Sequence, residues 1–546
     1  MEAWGVIVIG GGHAALRSAI AAKEANTAVL VVSVEGSGNG STGDSTGLAS
    51  SISETSSRDH RNDTIRCGEF LCDQDIVSSR TASASNHLAE LERWGVNFRR
   101  NPEGIPQTIT LPGHRMARVS GCGDTTDAEV QQALIEQCMK SGVSRRGDTL
   151  VLRIVSSGNT IHGITTLDLS SGEVNVIQCK ALIIADDGFE GAWTSISSGG
   201  RGMHLALQSG ISLRDLEFQS WTPLGISDSE VSLPLGLLTE GAILAGPGGE
   251  IDPESPSPSV MAAEMAAGGE GWSLDLNNFD HSAAAWYSAT FAHTNSRLGL
   301  DAGSEPLPVE PRVIGTLGGI PVDIDGRAMI GNWQMVFAGL YAAGDAACSG
   351  LHGAGVAAGN HLLDALSGGA AAGIHASSYV EVSKFSGSDK LLHQLSEDES
   401  TLSSMLTAES KDDAPRVGEI RAALSKIMAK HMGLNRSETS LNTAVEKLSE
   451  LAGRAAGMRL DYSDSLLMNQ NLVENIRVRS MVTIAQAAVT AALQRQESRG
   501  THRREDFANR DDETFLKHSL VGADGTPDWL PLRKSIRGSW LLAPDA

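Results

Sequence analysis

A chain of 546 residues with 41% hydrophobic and 20% charged residues has the make-up of a globular protein of two to four domains, at roughly 150 residues each, which excludes disorder as the overall state. A formal net charge of −23 repels nucleic acid phosphates and anionic lipid heads, so no nucleic acid and no membrane surface is expected as a partner. Sixty glycines against nine Trp, four Tyr and ten Phe ask for many tight turns where backbone approaches backbone or a ligand.

In chain order, Val6–Ile9 is a short apolar run, Gly10-Gly11-Gly12 follows, and Leu16, Ala19, Ile20 and Ala22 recur at helical spacing before the run 29–32. Strand, glycine turn, helix and strand in that order predict a parallel sheet, because a buried parallel strand reads as a continuous apolar run and needs a crossover helix. The fold class is α/β. The runs 149–154, 161–169, 173–179 and 182–185 predict an antiparallel meander returning to that sheet. Gly, Pro, Ser and Ala crowd residues 246–270, which predicts a mobile loop or the edge of a smaller inserted domain. Residues 376–415 are rich in Ser, Asp, Glu and Lys and read as a surface linker. From Val417 to Arg495 there is no proline and apolar residues recur every three or four positions, so a helical domain is expected. The last 40 residues are expected to form loops with short strands.

The six cysteines (Cys67, Cys72, Cys122, Cys138, Cys179 and Cys348) include no C-x-x-C pair, so no metal or iron–sulfur ligand set is legible. No segment reaches the about 18 consecutive apolar residues of a membrane span. The chain is expected to be cytoplasmic, or peripheral on the inner face of a membrane through partner subunits.

Gly10-x-Gly12-x-x-Ala15 between a predicted strand and a predicted helix is a dinucleotide-binding turn: the first glycine makes the turn, the second admits a diphosphate, and the helix N-terminus favours its charge. The second strand ends at Ser33 rather than at an acidic residue, and Glu35 is two residues further on, which does not favour NAD. Residues 36–48 are small and suit a backbone lying flat on a planar ligand.

With these features the sequence resembles the succinate dehydrogenase and fumarate reductase flavoprotein family, which also contains L-aspartate oxidase and the adenylylsulfate reductase flavoprotein. The resemblance runs through Leu91-Glu92-Arg93-Trp94-Gly95-Val96, Gly113-His114, Thr239-Glu240-Gly241, Leu317-Gly318-Gly319-Ile320-Pro321 and Gly339-Leu340-Tyr341-Ala342-Ala343-Gly344-Asp345. It continues through Asn471-Leu472-Val473-Glu474, Glu497-Ser498-Arg499-Gly500-Thr501-His502, Arg504-Glu505-Asp506 and Lys517-His518-Ser519-Leu520. It implies a Rossmann-like FAD-binding domain (1–235 and 311–375), an inserted α+β capping domain (236–310), a linker (376–415), a helical domain (416–510) and a C-terminal segment (511–546).

The resemblance also implies an FAD-dependent oxidoreductase that moves hydride between flavin and a small organic acid, with an iron–sulfur electron-transfer subunit as a partner. FAD would contact Gly10, Gly12, Ala15, Ser33, Ser41, Thr42, Gly47, Asp186 and Asp345, with Asn360, His361 and Leu362 over the isoalloxazine. Membrane-bound members attach FAD to a histidine where an ungapped count places Ser41, so a noncovalent FAD is expected. The matched segments make His114, Arg118 and Glu240 the catalytic candidates. The family's cationic clamp for two carboxylates is replaced by Thr222, Ile314 and Val356, and residues 260–266, where its proton-shuttle arginine belongs, hold no arginine. Its Ala-Thr-Gly-Gly turn reads Ala185-Asp186-Asp187-Gly188, and an FAD-contacting aspartate aligns with Arg201. Such departures leave open a second reading, a member acting on another substrate or serving as a non-catalytic scaffold. His502, Arg504 and Glu505 are read as an ion-pair corner between domains.

Overall fold

A computed structural model describes residues 1–35, 46–51, 54–196, 198–331, 335–407, 414–461 and 465–544. The strand Glu2–Ile9 lies at the middle of an eight-stranded sheet, parallel to Val29–Val32 on one side and to Val174–Ile184 on the other. Ile9 is opposite both Val32 and Ile184, which brings the carboxyl ends of three strands to one level, and Met335–Ala342 joins beyond Val174–Ile184 with Ala342 opposite Ile184. Val6, Ile7 and Val8 are fully buried, as a strand covered on both faces requires.

The meander is present as Thr149–Ser157, Thr160–Asp168 and Val174–Ile184. Its third and fourth expected runs are one strand: the residues between them continue the ladder, the first half pairing antiparallel with Thr160–Asp168 and the second half parallel with Met335–Ala342.

The helix His13–Glu24 returns along the sheet and packs on Asn360–Val382, where Gly369 and Gly373 lie against the carbonyl groups of Ala14 and Ser18. A side chain at either glycine would separate the helices. The expected linker is instead structured. Asn360–Val382 runs into it, and Asp389–Thr407 is a helix whose Leu391, Asp398 and Leu402 are buried toward the meander, Asp398 accepting a hydrogen bond from Thr165 at 2.5 Å.

A second, five-stranded antiparallel sheet is built from Gln219–Ile226, Leu307–Thr316, Trp272–Asp275, Ile243–Gly246 and Gly249–Glu250. Leu307–Thr316 straddles the boundary expected at 310, and its partner Gln219–Ile226 precedes the one expected at 236, so the sheet draws on both sides of each. The stretch 246–270 contains the helix Pro258–Gly268, capped by Ser257 accepting from the Val260 amide at 3.1 Å. Met261, Ala262 and Met265 of that helix are fully buried, so its small-residue composition reflects close packing rather than a loop.

Three helices, Val417–His431, Glu438–Ala456 and Gln470–Gln494, share one core with the main sheet, in which Met428, Leu441, Val482 and Ile484 meet Ile7, Leu182 and Met203. Gln470–Gln494 is long and apolar enough to cross a membrane, and 61% of its apolar window is buried inside this core. The last segment contributes the strands Lys517–Val521 and Pro527–Pro531. His502 is fully buried, and its Nδ1 meets Arg436 at 2.9 Å. Arg504 pairs with Asp506 at 2.7 Å and not with Glu505, which is exposed.

Candidate functional site

Gly10, with φ +122°, presses so closely on the Ala185 carbonyl that a Cβ there would overlap it. Gly12 has nothing within 4 Å of where a Cβ would stand, and it begins the helix His13–Glu24 without any side-chain cap. Open space in front of uncapped amide groups is the shape a diphosphate needs. Gln131 steadies the turn by donating to the Gly11 carbonyl at 2.8 Å.

The cleft beside this turn is lined by Gly10, Ser33, Glu35, Asp186, Asp187 and Arg477, among others. Arg477 comes from the helix Gln470–Gln494 and pairs with Glu35 at 3.0 Å, closing the cleft from the far side. Arg201 also lines it, with its guanidinium turned onto the carbonyls of Val151 and Leu152, the latter at 2.6 Å. Neither Glu35 nor Arg477 belongs to the glycine fingerprint.

A second cavity lies at the other end of the carboxyl edge, lined by Thr316, Asp345, His352, His361 and Asp364. His352 Nε2 is 3.3 Å from Asp364, and His361 Nε2 is 3.1 Å from Ser220 Oγ. Burial and the neighbouring His352 hold the His361 imidazole down at about 3, so it is neutral. Thr316 Oγ1, His352 Nδ1 and Asp364 Oδ1 are buried without a partner among the described residues. Three orphaned polar atoms around one cavity are costly alone and suit a polar ligand edge.

Of the residues expected at the cofactor, Gly10, Ser33 and Asp186 line the first cavity, and Asp345 and His361 the second. Ala15 is fully buried in the helix behind the turn. Gly47, with φ +119°, lies against the Ser120 carbonyl. Leu362 is core, and Asn360 spends its side chain on His60 at 2.8 Å and Thr64 at 3.0 Å. Ser41 and Thr42 lie outside the described residues.

The catalytic candidates are not gathered in one cavity. His114 meets the Ala358 carbonyl through Nε2 at 2.7 Å, and burial pushes its imidazole down to about 3. Arg118 is 1% exposed and pairs with Asp63 at 2.9 Å. Both brace backbone, His114 at the Ala358 carbonyl and Arg118 at the Ser56 carbonyl. Glu240 lines a separate small cavity with Tyr287 and is paired with Arg99. Thr222 and Val356 are buried, Val356 within a cluster of Leu71, Phe218, Leu317 and Ala354. Arg312, beside Ile314, donates to the carbonyls of Val231 and Ile226 at 2.8 and 2.7 Å.

Comparison with known proteins agrees with this geometry. The family described as FAD binding domain matches residues 5–362, and the one described as fumarate reductase flavoprotein C-term matches residues 421–533. The chain is 28% identical to the fumarate reductase flavoprotein subunit of Mycobacterium tuberculosis over 572 residues, 95% of each chain. It is also 28% identical to the 8-methylmenaquinol:fumarate reductase flavoprotein subunit of Wolinella succinogenes, over 95% of this chain and 88% of that one. Among solved structures, E. coli quinol fumarate reductase superposes with a TM-score of 0.91 at 24% identity, covering 100% of this chain and 99% of the other. An FAD fits the residues present, with the glycine turn and open helix end at its diphosphate and the orphaned polar atoms at its far end. The chain therefore belongs to the FAD-binding flavoprotein family of succinate dehydrogenase and fumarate reductase, as an FAD-dependent oxidoreductase.

Proposed function

We propose that this protein transfers hydride between a noncovalently held FAD and an organic acid less charged than a C4 dicarboxylate, and passes electrons to an iron–sulfur partner subunit. The names of the relatives supply the reaction class. The observation that carries the substrate reading is the burial of Thr222, and of Val356 among apolar neighbours, where the resemblance places clamp cations, together with the absence of Arg and Lys from Pro258–Gly268.

Arg118, Arg99 and Arg312 do not substitute, because they are spent on Asp63, Glu240 and backbone carbonyls. Each lost charge-assisted bond to a carboxylate forfeits about 1.5–3 kcal/mol, so a dianion losing several would not be held. Bound FAD supplies the two-electron acceptor. Gly10 and Gly12 would seat it, the helix that begins at Asn360 would wall it, and the packing around Val356 would exclude water.

Noncovalent attachment is supported by Ser41 at the counted position, since a serine hydroxyl lacks an imidazole's nucleophilicity. His60, the histidine in the following helix, is buried and held through both ring nitrogens by Ser51 and Asn360. Membrane attachment, on this reading, runs through partner subunits.

Acid precipitation of the purified protein should leave the flavin in the supernatant. In anaerobic titrations succinate should leave the oxidised flavin bands unchanged, while a monocarboxylic acid from a screened set bleaches them. Bleaching by succinate would overturn the substrate reading, and protein that takes up no flavin would overturn the whole proposal.

A further inference from the structure

The cleft that receives the diphosphate is crowded with carboxyl groups. Asp186 and Asp187 stand in the turn that leaves Val174–Ile184, and this turn is pressed against Gly10 through the Ala185 carbonyl. Glu35 faces them from the end of the second strand, Glu190 from the short turn Glu190–Ala192 and Asp345 from the short turn Gly344–Ala346. Asp186, Glu190, Glu35 and Asp345 all act on Asp187.

The facing cations are engaged elsewhere. Arg477 bonds Glu35 and Glu474 at 3.0 Å each, and Arg201 bonds the carbonyls of Val151 and Leu152. Among the described residues no cation pairs with Asp187. A diphosphate adds negative charge to this group, so the carboxyl beside it must be neutral or the two repel.

We propose that Asp187 binds the FAD diphosphate as a neutral carboxylic acid, donating its O–H to a phosphate oxygen, so that FAD binding takes up a proton from solvent. The proposal rests on the FAD reading and adds a ligand to it. Enclosure in the cleft and the surrounding carboxylates raise Asp187 well above the usual carboxylate range, and they raise Asp186 in the same direction. Asp345 is raised to about 7 by burial and Glu190. The bound dianion raises Asp187 further. By linkage the dissociation constant then climbs as pH rises past the value of the free cleft, by up to tenfold per pH unit for each proton taken up.

The test is the dissociation constant of FAD from the full-length holoprotein, read from the fluorescence of released flavin on dilution between pH 5.5 and 8.5. The wild type should lose affinity as pH rises. Asp187→Asn keeps a donor without a charge, and should flatten the profile by one proton and bind FAD more tightly than wild type at pH 8.5. Should that variant fold poorly by circular dichroism, Asp187→Gly removes the group in the smallest way and should also flatten the slope, with weaker binding at pH 5.5 than wild type. A wild-type affinity independent of pH overturns the proposal. An unchanged slope in the variant that folds does so too, because the proton then belongs to Asp186 or Asp345. Absence of FAD binding by the wild type at pH 5.5 overturns the cofactor reading itself, a separate outcome from either.

Discussion

Gly10 and Gly12 stand two residues apart and answer to different constraints. Gly10 combines φ +122° with a strand turn against its missing Cβ, so the residue is needed by the fold itself. Gly12 has an extended backbone, φ −82°, and open space ahead, so the fold does not require a glycine there, and on the proposed reading the ligand does. Gly10→Ala should therefore destabilise the protein by about 2–3 kcal/mol or more in thermal melts, through positive-φ strain and the clash. Gly12→Ala should leave the melt within about 0.5 kcal/mol of wild type and weaken FAD about tenfold or more, measured by fluorescence titration. The motif spacing identifies both glycines, because that turn is a local matter of backbone sterics. Asp187 is visible in the sequence only as an extra carboxylate. Beyond its sequence neighbours Asp186 and Glu190, its surroundings come from residues 35 and 345, which no local pattern links to it.

At the scale of elements, the C-terminal strand Lys517–Val521 is anchored by His518, whose Nδ1 is 2.5 Å from Asp215 and whose Nε2 is 3.4 Å from Asp73, both fully enclosed with Arg214. Burial opposes the charge on His518, yet the two carboxylates outweigh it and Arg214, and its imidazole is raised above the ordinary value. A group raised in the folded state stabilises fully below its unfolded value, near 6.5, and loses that contribution as pH climbs through the folded value. His518→Gln should thus cost about 3 kcal/mol in urea melts at pH 5.5, from leaving buried carboxylates short of a cation, and less at pH 9.

The helix Asp389–Thr407 shows the opposite case for legibility. Its Ser, Asp and Glu content reads as linker, because a helix burying only the narrow stripe of Leu391, Asp398 and Leu402 carries a weak periodic signal. Pro258–Gly268 is hidden by small residues for the complementary reason: it is buried on most sides, so no polar face marks its period.

Across the whole molecule, −23 charges set the approach of any anion. FAD and the flavin-free protein repel at long range, and salt screens that repulsion over about 10 Å at 0.1 M. The association rate followed by stopped-flow fluorescence should rise several-fold between about 20 and 300 mM NaCl, and a falling rate would mean that Arg477 and Arg201 dominate the encounter. The same balance suits the substrate reading, since an acidic chain without a clamp gives a dianion no compensation for desolvation.

By itself the sequence determined the α/β class, the diphosphate turn, the helical C-terminal part and the family, because short-range sterics, apolar periodicity and ordered motif strings survive without knowledge of contacts. It also put Thr222, Ile314 and Val356 where the resemblance expects clamp cations. Only the tertiary structure showed the guanidinium groups of Arg118, Arg99 and Arg312 held by Asp63, by Glu240 and by the carbonyls of Val231 and Ile226. It alone brought Glu35 to the cleft lined by Asp186 and Asp187. Charge interactions and desolvation depend on distance in space, and the partners that set them here stand far apart in the chain, Arg118 and Asp63 by 55 positions and Arg99 and Glu240 by 141.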